Sequence, residues 1–219
     1  MKKKLAMFDL DHTLLDGDSD VSWAQFLIEE GVLHPEEYHA KNVWFAERYK
    51  DGTLDIHEFL DFQLAPIAGR ARPQLDAWHR TFMQRKIRPM IHAKAPELIS
   101  SHAGSLSAIV TATNRFITAP IAAELGVEHL IATDIEELDG VFTGKPRGTP
   151  SFREGKITRV NEWLAARGSR LGDYESWFYG DSLNDLPLLE LVTHPVAVDP
   201  DASLRSHAEE RGWPIISLK

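Results

Sequence analysis

The chain has 219 residues, of which 43% are hydrophobic and 26% are charged, and its formal net charge is −9. This length allows one α/β domain, or such a domain with a smaller insert. The acidic balance argues against a nucleic-acid partner, because binding to a nucleic-acid backbone depends on a basic surface. The absence of cysteine excludes disulfides and thiolate metal sites and favours a reducing, cytoplasmic location.

The N-terminal segment begins like a signal peptide, with three lysines before an apolar run. Asp9 and Asp11 interrupt that run, and the hydrophobic region of a signal peptide cannot carry such charges. No stretch of the sequence approaches the roughly 20 apolar residues of a membrane helix. We therefore expect a soluble protein with no membrane partner.

The first predicted element is the apolar run 5–8, whose composition indicates a buried parallel strand. It leads into the stretch MFDLDHTLLD, in which Asp9 and Asp11 lie two residues apart. Two carboxylates this close repel each other unless a cation or a shared proton offsets their charge. Ligands of open α/β sheets bind beyond the carboxyl ends of the strands, so this stretch predicts a functional site.

The segment from Val21 to about Arg88 has apolar residues at helical spacing, in stretches separated by Gly or Pro. This pattern predicts a helical insert, which we place at 17–92 as a cap on a core formed by 1–16 and 93–219. Aromatic residues at helical spacing are expected to form the apolar interior of this insert. They are Trp23, Phe26, Trp44 and Phe45.

The rest of the chain alternates predicted helices with short apolar strands, which is typical of a parallel, doubly wound sheet. The predicted strands are 106–111, 129–133, 176–179, 196–198 and 214–218. The predicted helices are 96–101, 115–125, 154–168 and 202–211. Asp139-Gly140 predicts a hairpin turn. The predicted fold class is α/β, with a Rossmann-like core and an inserted α-helical cap.

Four polar clusters follow predicted strands or begin a predicted helix. They are DLDHT (9–13), TATN (111–114), Lys156 and GDSLND (180–185). Each cluster also has a purely structural interpretation: a turn for the first, a strand-end cap for Thr111, a solvated side chain for Lys156, and a helix N-cap at Asn184 or Asp185.

In this order and spacing, the four clusters resemble the motifs of the haloacid dehalogenase superfamily, in its phosphatase branch. The stretch 9–13 matches the first motif, Thr111 the second, Lys156 the third and 180–185 the fourth. The helical insert between the first two motifs is similar to the cap of subfamily IB, which includes phosphoserine phosphatases. The dehalogenase branch lacks a carboxylate at the position of Asp11, so this residue favours a phosphatase.

The resemblance implies hydrolysis of a small-molecule phosphomonoester through an aspartyl-phosphate. Asp9 is the expected nucleophile, and Asp11 is expected to hold a proton and act as general acid and base. Thr111 and Lys156 are expected to bind the phosphoryl group together with Asp11. The backbone amide of His12 is expected to contribute more than its imidazole does.

The implied cofactor is Mg²⁺, which prefers oxygen ligands. Its expected ligands are the side chains of Asp9 and Asp181 and the backbone carbonyl of Asp11, with Asp185 ligating the ion or orienting its waters. The ten histidines show no pair with the spacing of a zinc site, so we predict no zinc site built from histidines.

Substrate selection is assigned to the cap with fewer signals. In phosphoserine phosphatases, a glutamate beyond the first motif receives the substrate's amino group, and Asp18 is nearest that position here. Asp18 and Asp20 are also candidate caps of the first helix of the insert, and the two roles are compatible. Arg48, Arg147 and Arg153 are candidate contacts for a phosphate or a carboxylate, or solvated side chains. Phosphoserine and histidinol phosphate are the candidate substrates.

Two other functions fit the same motifs. One is a phosphotransferase that passes the phosphoryl group to an alcohol acceptor. The other is a non-catalytic sensor that binds a phosphorylated metabolite, although no catalytic position has been lost. The sequence leaves these alternatives and the oligomeric state open.

Overall fold

A seven-stranded sheet forms the centre of the computed structural model, which describes residues 2–51 and 53–219. The strands are β1 (Lys3–Phe8), β2 (Leu106–Asn114), β3 (His129–Leu138), β4 (Val141–Arg147), β5 (Tyr174–Gly180), β6 (His194–Val198) and β7 (Ile215–Ile216). Their order across the sheet is β4-β3-β2-β1-β5-β6-β7. All neighbours are parallel except β3 and β4. The predicted α/β class is confirmed.

The helices fall into two groups in the part of the chain that the structure describes. The helices of the first group follow β1 in the chain, and they are α1 (Ser19–Glu29), α2 (Pro35–Asp51), α3 (Ile56–Leu64), α4 (Arg72–Phe82) and α5 (Arg88–Met90). We call the segment from α1 to α5 the helical insert. The helices that accompany the strands are α6 (Ala95–Ser101), α7 (Arg115–Glu124), α8 (Glu154–Ala165), α9 (Leu186–Leu189) and α10 (Ala202–Arg211). A π-helical turn, Met83–Ile87, joins α4 to α5.

Two helices begin directly after a residue whose side chain caps them. The Asp18 carboxylate accepts the Val21 N–H at 2.9 Å and caps α1. The Asn114 side chain accepts the Ile117 N–H at 3.2 Å and caps α7 directly after β2. These caps satisfy backbone donors that a helix leaves unpaired in its first turn. The predicted capping role of Asp18 is confirmed.

The two connections between the sheet and the helical insert run side by side. Leu15 and Ile91 form an antiparallel bridge. The Asp16 N–H donates to the Met90 carbonyl at 2.7 Å, and the His92 N–H donates to the Leu14 carbonyl at 3.1 Å. We call this pair of segments, 14–16 and 90–92, the connecting ribbon.

Apolar side chains cover both faces of the sheet. Alternate residues of β1 point to opposite faces, with Ala6 and Phe8 in one buried cluster and Leu5 and Met7 in the other. Burial of both faces explains why the strands are continuous apolar runs instead of alternating ones. No helix within the described residues is both long and apolar enough to cross a bilayer.

Aromatic side chains of the helical insert pack together and join the buried cluster on one face of the sheet. Of the four aromatics predicted to form the interior of the insert, Trp23, Phe26 and Phe45 are buried. Trp44 is only partly buried, and the Arg48 guanidinium lies 3.5 Å from the centre of its ring. The prediction is therefore confirmed for three of these residues and wrong for Trp44, which shares its surface with a charged side chain.

The β3–β4 hairpin touches the helical insert at a second place. The Gly69 N–H donates to the Phe142 carbonyl at 2.9 Å, and Lys145 bonds to Asp61 at 2.6 Å. Gly144 has a φ of +81°, and a Cβ there would lie 2.8 Å from the Ala68 Cβ, so glycine is required at this contact. β3 runs to Leu138, beyond its predicted end at 133, because residues 134–138 pair with β4 around the turn predicted at Asp139-Gly140.

Candidate active site

The carboxylates of three distant segments meet at the carboxyl ends of β1 and β5. Phe8 pairs with Tyr179 across these strands, and the Asp9 N–H donates to the Tyr179 carbonyl at 2.8 Å. This register places Asp9 and Asp181 at the same edge of the sheet. One carboxylate oxygen each from Asp9, Asp181 and Asp185 lies within 4.8 Å of the others. We call these three residues the acidic site.

Lys156 supplies a positive charge to the acidic site from the first turn of α8. Its ammonium group lies 2.6 Å from Asp9 Oδ1 and 2.5 Å from Asp185 Oδ1. The side chain is buried, with 3% of the residue exposed, and hydrogen bonds between ionised groups are the strong ones in such surroundings. Lys156 is therefore not the solvated side chain of the structural interpretation.

The acidic site carries more negative charge than Lys156 can balance. Burial raises the pKa of Asp9 to about 8, with Lys156 opposing the rise and Asp185 adding to it. Burial also raises the pKa of Asp181 to about 9, and the nearby carboxylates of Asp185 and Asp9 contribute. Burial disfavours the charged form of Lys156, yet the carboxylates of Asp185 and Asp9 hold its pKa above the usual range. Such a site favours an additional cation.

Asp185 holds the other members of the acidic site in place. Its Oδ1 accepts from Lys156, while its Oδ2 accepts the N–H of Asp181 at 3.1 Å. A Cβ at Gly180 would lie 2.6 Å from Asp185 Oδ2, so only glycine lets the loop approach this carboxylate. Asp185 makes no side-chain cap bond to α9. Asp185 is thus the N-cap residue of α9 by position, but its carboxylate serves the acidic site instead of the helix.

Thr13, the last residue of the first cluster, also contacts the acidic site. It is fully buried, and its hydroxyl donates to Asp181 Oδ1 at 3.3 Å. The first and fourth clusters, 168 residues apart, are thus joined by a hydroxyl as well as by their carboxylates.

The Asp11 carboxylate lies between the helical insert and β2. Its Oδ1 accepts the Ser19 N–H at 2.7 Å, and its Oδ2 accepts the Thr113 hydroxyl at 2.7 Å. Of the four residues expected at a metal, the structure gathers three side chains. Asp11 was expected to offer its backbone carbonyl, and its side chain has these other partners.

Thr111 is buried near the end of β2, next to β1 in the sheet. Its hydroxyl oxygen accepts the Thr113 N–H at 3.2 Å. Among the residues that the structure describes, its hydroxyl proton has no recorded acceptor, so it is available to a ligand oxygen.

The backbone amide of His12 is bonded within a tight loop. It donates to the Gly17 carbonyl at 3.0 Å, and His12 has a φ of +59°. In this structure the contribution of the amide is to close the loop after the first cluster.

A second group of carboxylates lies at the start of the helical insert. Asp20 is buried, and it lies 3.2 Å from the Thr113 hydroxyl and 3.3 Å from Asn114 Nδ2. Burial and then the charge of Asp11 raise the pKa of Asp18 to about 6. Burial, with the charges of Asp18 and Asp11, raises the pKa of Asp20 well above its ordinary value. We call Asp11, Asp18 and Asp20 the hinge carboxylates, and no lysine or arginine of the described chain forms an ion pair with them.

Sequence reasoning missed Asp20 and Thr113 as members of this group. Asp20 was predicted only as a candidate cap of the first helix of the insert, and Thr113 was noted only as part of TATN. The signal that was available is position, since both residues lie within a few positions of a matched motif.

The three candidate arginines lie in different places. Arg153 donates to Asn184 Oδ1 at 3.0 Å and so supports the fourth cluster. Arg48 stacks on Trp44. Arg147 lines a groove of about 760 Å³ between α4, α7 and the hairpin, and none of the four clusters lines this groove.

The fold and this arrangement of carboxylates define a Rossmann-like α/β enzyme with its acidic site at the carboxyl ends of the strands. The chain belongs to the family of haloacid dehalogenase-like hydrolases, whose model matches residues 6–190. A histidinol-phosphatase from Neisseria meningitidis serogroup C (strain 8013) is 47% identical over 221 residues, which cover 99% of this chain and 100% of that protein. A phosphoserine phosphatase from Mycobacterium tuberculosis (strain ATCC 25618 / H37Rv) is 33% identical, covering 96% of this chain and 69% of that protein.

A solved structure agrees with this assignment of the fold. The crystal structure of a protein of unknown function from Bordetella pertussis Tohama I is 50% identical and has a TM-score of 0.94, with full coverage of both chains. The predicted membership of the phosphatase branch, similar to phosphoserine phosphatases of subfamily IB, is confirmed. The chain is a phosphomonoester hydrolase.

Proposed function

We propose that this enzyme is a Mg²⁺-dependent phosphatase that hydrolyses a small phosphorylated amine through an aspartyl-phosphate on Asp9. Residues 17–92 would act as a cap over a core formed by 1–16 and 93–219. The observation that carries the proposal is the acidic site, in which three carboxylates converge and two of them, Asp9 and Asp185, bond to the ammonium of Lys156.

The acidic site fits a hard divalent cation. Its donors are carboxylate oxygens, which Mg²⁺ prefers, and its negative charge exceeds what Lys156 balances. Asp9, Asp181 and the backbone carbonyl of Asp11 would hold the ion. Asp185 accepts the Asp181 N–H and would orient Asp181 through this bond. When bound, Mg²⁺ supplies positive charge that offsets the charge of the phosphoryl oxygens.

The first half of the reaction transfers the phosphoryl group to Asp9. Asp9 Oδ1 is bonded to Lys156, while Oδ2 accepts no hydrogen bond within the described residues. An oxygen of Asp9 forms a bond to phosphorus as the bond from phosphorus to the ester oxygen breaks. Asp11 gives its proton to that ester oxygen, which leaves as an alcohol.

The second half returns the enzyme to its starting state. Water attacks the phosphorus of the aspartyl-phosphate and gives a proton to Asp11, and the bond between phosphorus and Asp9 breaks to release orthophosphate. Lys156 balances the charge on Asp9, and the Thr111 hydroxyl donates to a phosphoryl oxygen. The burial and contacts of these side chains support both proposed roles.

The hinge carboxylates favour a substrate with a positive charge. They form no ion pair with lysine or arginine in the described chain, so a substrate ammonium group would offset their repulsion. Histidinol phosphate carries an amine and no carboxylate, whereas phosphoserine carries both. A carboxylate beside Asp18 and Asp20 would be repelled. Together with the 47% identity to a histidinol-phosphatase, this repulsion favours histidinol phosphate as the substrate, with Asp18 as a substrate contact. The predicted contact between Arg48 and the substrate stays a prediction.

The test is phosphate release from histidinol phosphate, phosphoserine and an amine-free alkyl phosphate, each with Mg²⁺ and with a chelator. We expect turnover that is concentrated on histidinol phosphate and lost with chelator. The Asp9→Asn protein, purified in the same way, controls for contaminating phosphatases. Equal turnover of the amine-free ester would contradict the proposed selectivity, and turnover in chelator would contradict the metal.

The same assay separates the two other functions. A phosphotransferase would form a phosphorylated alcohol when an acceptor is added, at the expense of free phosphate. A sensor would bind a phosphorylated compound, detected as a rise in melting temperature, and release no phosphate from any of them.

A further inference from the structure

Thr113 has contacts that the proposed mechanism does not use. It is buried at the end of β2, with 4% of the residue exposed. Its hydroxyl lies 2.7 Å from Asp11 Oδ2 and 3.2 Å from Asp20 Oδ2. A hydroxyl has one proton to donate, and the shorter contact assigns that proton to Asp11.

The Asp11 carboxylate depends on Thr113 for its orientation. Its other oxygen accepts the Ser19 N–H at 2.7 Å, so one donor comes from the sheet and one from the helical insert. Two donors on opposite oxygens fix the rotation of a carboxylate about its terminal bond, whereas one donor leaves it free to turn. No charged donor contacts Asp11 within the described residues, so these two neutral donors set its position.

We propose that Thr113 is a positioning residue that orients the Asp11 carboxyl for proton transfer to the leaving group. This inference rests on the proposed role of Asp11 as general acid. Asp20 Oδ2 lies 3.2 Å from the same hydroxyl, and the Asn114 amide donates to Asp20 Oδ1 at 3.3 Å. A misoriented acid loses proton transfer to the substrate without losing the nucleophile Asp9.

The experiment compares two leaving groups. An alkyl phosphate needs a proton on its departing oxygen, whereas p-nitrophenyl phosphate departs as a stable phenolate and needs little help from an acid. The measured quantity is kcat/KM with Mg²⁺, because it reports only the steps up to release of the alcohol. The alkyl substrate is the best aliphatic ester found in the phosphate-release assay.

For Thr113→Val we expect kcat/KM to fall about 10- to 100-fold on the alkyl ester and less than about 3-fold on p-nitrophenyl phosphate. Thr113→Ser retains the hydroxyl and should stay within about 3-fold of the wild type on both. The matched control is Thr118→Val, which removes a fully buried hydroxyl that bonds only to the Asn114 carbonyl among the described residues. This control should show no difference between the two substrates.

Equal losses of Thr113→Val on both esters would overturn the proposal, since a general structural defect does not distinguish leaving groups. A tenfold or larger loss in Thr113→Ser on the alkyl ester would overturn it as well. If melting curves show that Thr113→Val does not fold, Thr113→Ala carries the same expectation with less steric change.

Asp11→Asn, measured beside these variants, separates this inference from the proposed function. If Asp11→Asn loses activity mainly on the alkyl ester and Thr113→Val does not, only the role of Thr113 is wrong. If Asp11→Asn instead loses activity equally on both esters, the general-acid role of Asp11 is wrong, and the proposed role of Thr113 is wrong with it.

Discussion

The acidic site and the helical insert are stabilised by different kinds of contact. In the acidic site, one buried ammonium joins carboxylates far apart in the chain, and Lys156 and Asp9 are 147 residues apart. In the insert, rings pack together inside and ion pairs such as Lys86–Glu29 lie at the surface. A buried charge fails when its partner is removed, whereas an exposed pair contributes little. The chemistry therefore tolerates few substitutions, and the surface of the insert tolerates many.

The largest effect should come from the proposed nucleophile, Asp9. In the proposed mechanism Asp9→Asn removes the attacking carboxylate, and we expect kcat/KM to fall more than about 10⁴-fold, which raises the barrier by more than about 5 kcal/mol. Steady-state phosphate release measures the loss, and mass spectrometry checks that the asparagine has not deamidated to aspartate. Near-normal turnover in an intact Asp9→Asn protein would disprove the covalent mechanism.

The next largest effect should come from the interior of the insert. Phe82 is fully buried against Trp23 and Phe26, so Phe82→Ala should lower the free energy of unfolding by about 3–5 kcal/mol. Phe82→Leu keeps an apolar side chain and should lose less than about 1.5 kcal/mol. Urea unfolding measures both variants, and equal losses would mean that ring packing does not dominate this region.

The third prediction concerns pH and Mg²⁺. The raised pKa values of Asp9 and Asp181, about 8 and about 9, mean that the metal-free folded protein binds protons that the unfolded chain has released. Its stability in chelator should therefore fall as the pH rises from about 6 to about 9.

In the proposed site Mg²⁺ binds the deprotonated carboxylates, so it should stabilise the folded protein more at about pH 9 than at about pH 6. When its concentration is a hundredfold above the Kd at that pH, the ion should add about 2.7 kcal/mol to the free energy of unfolding. Melting temperature with and without the ion measures this, and Asp181→Asn should reduce the dependence on pH. A Mg²⁺ effect that is the same at both pH values would contradict the assignment.

The smallest effect should come from an exposed ion pair between the hairpin and the insert. Lys145 and Asp61 are both largely exposed, so Lys145→Ala should change the free energy of unfolding by less than about 1 kcal/mol. Chemical denaturation with the Asp61→Ala and double variants gives the coupling energy of the pair. A coupling of several kcal/mol would show that this contact is stronger than its exposure indicates.

The sequence predicted the sheet and the members of the acidic site because both depend on local signals. Apolar runs define the strands, and polar residues directly after Phe8 and Gly180 must lie at the same edge once the strands are parallel neighbours. The resemblance to a known family then supplied the expected roles. The hairpin turn at Asp139-Gly140 is also a local signal, and pairing with β4 on the other side of that turn accounts for the extension of β3 to Leu138.

The hinge carboxylates were harder to predict for a physical reason. Asp20 and Thr113 meet only after the chain has folded, being 93 residues apart, and neither has a local pattern that marks burial. The partner of the His12 amide was unpredictable for a similar reason, since its acceptor is the carbonyl of Gly17, at the far side of a tight loop. Which backbone amides point to a ligand depends on torsion angles that residue types alone do not determine.

The hairpin contact has a consequence for exchanging parts between related enzymes. Attachments along the connecting ribbon alone would define an axis about which the insert could swing. The backbone bond between Gly69 and Phe142, and the close approach of Gly144 to Ala68, add an attachment away from that axis. A chimera that transplants 17–92 from a homologue must therefore carry residues 134–147 from the same donor, together with α7, whose Phe116 and Ile117 contact Trp23 and His79 of the insert.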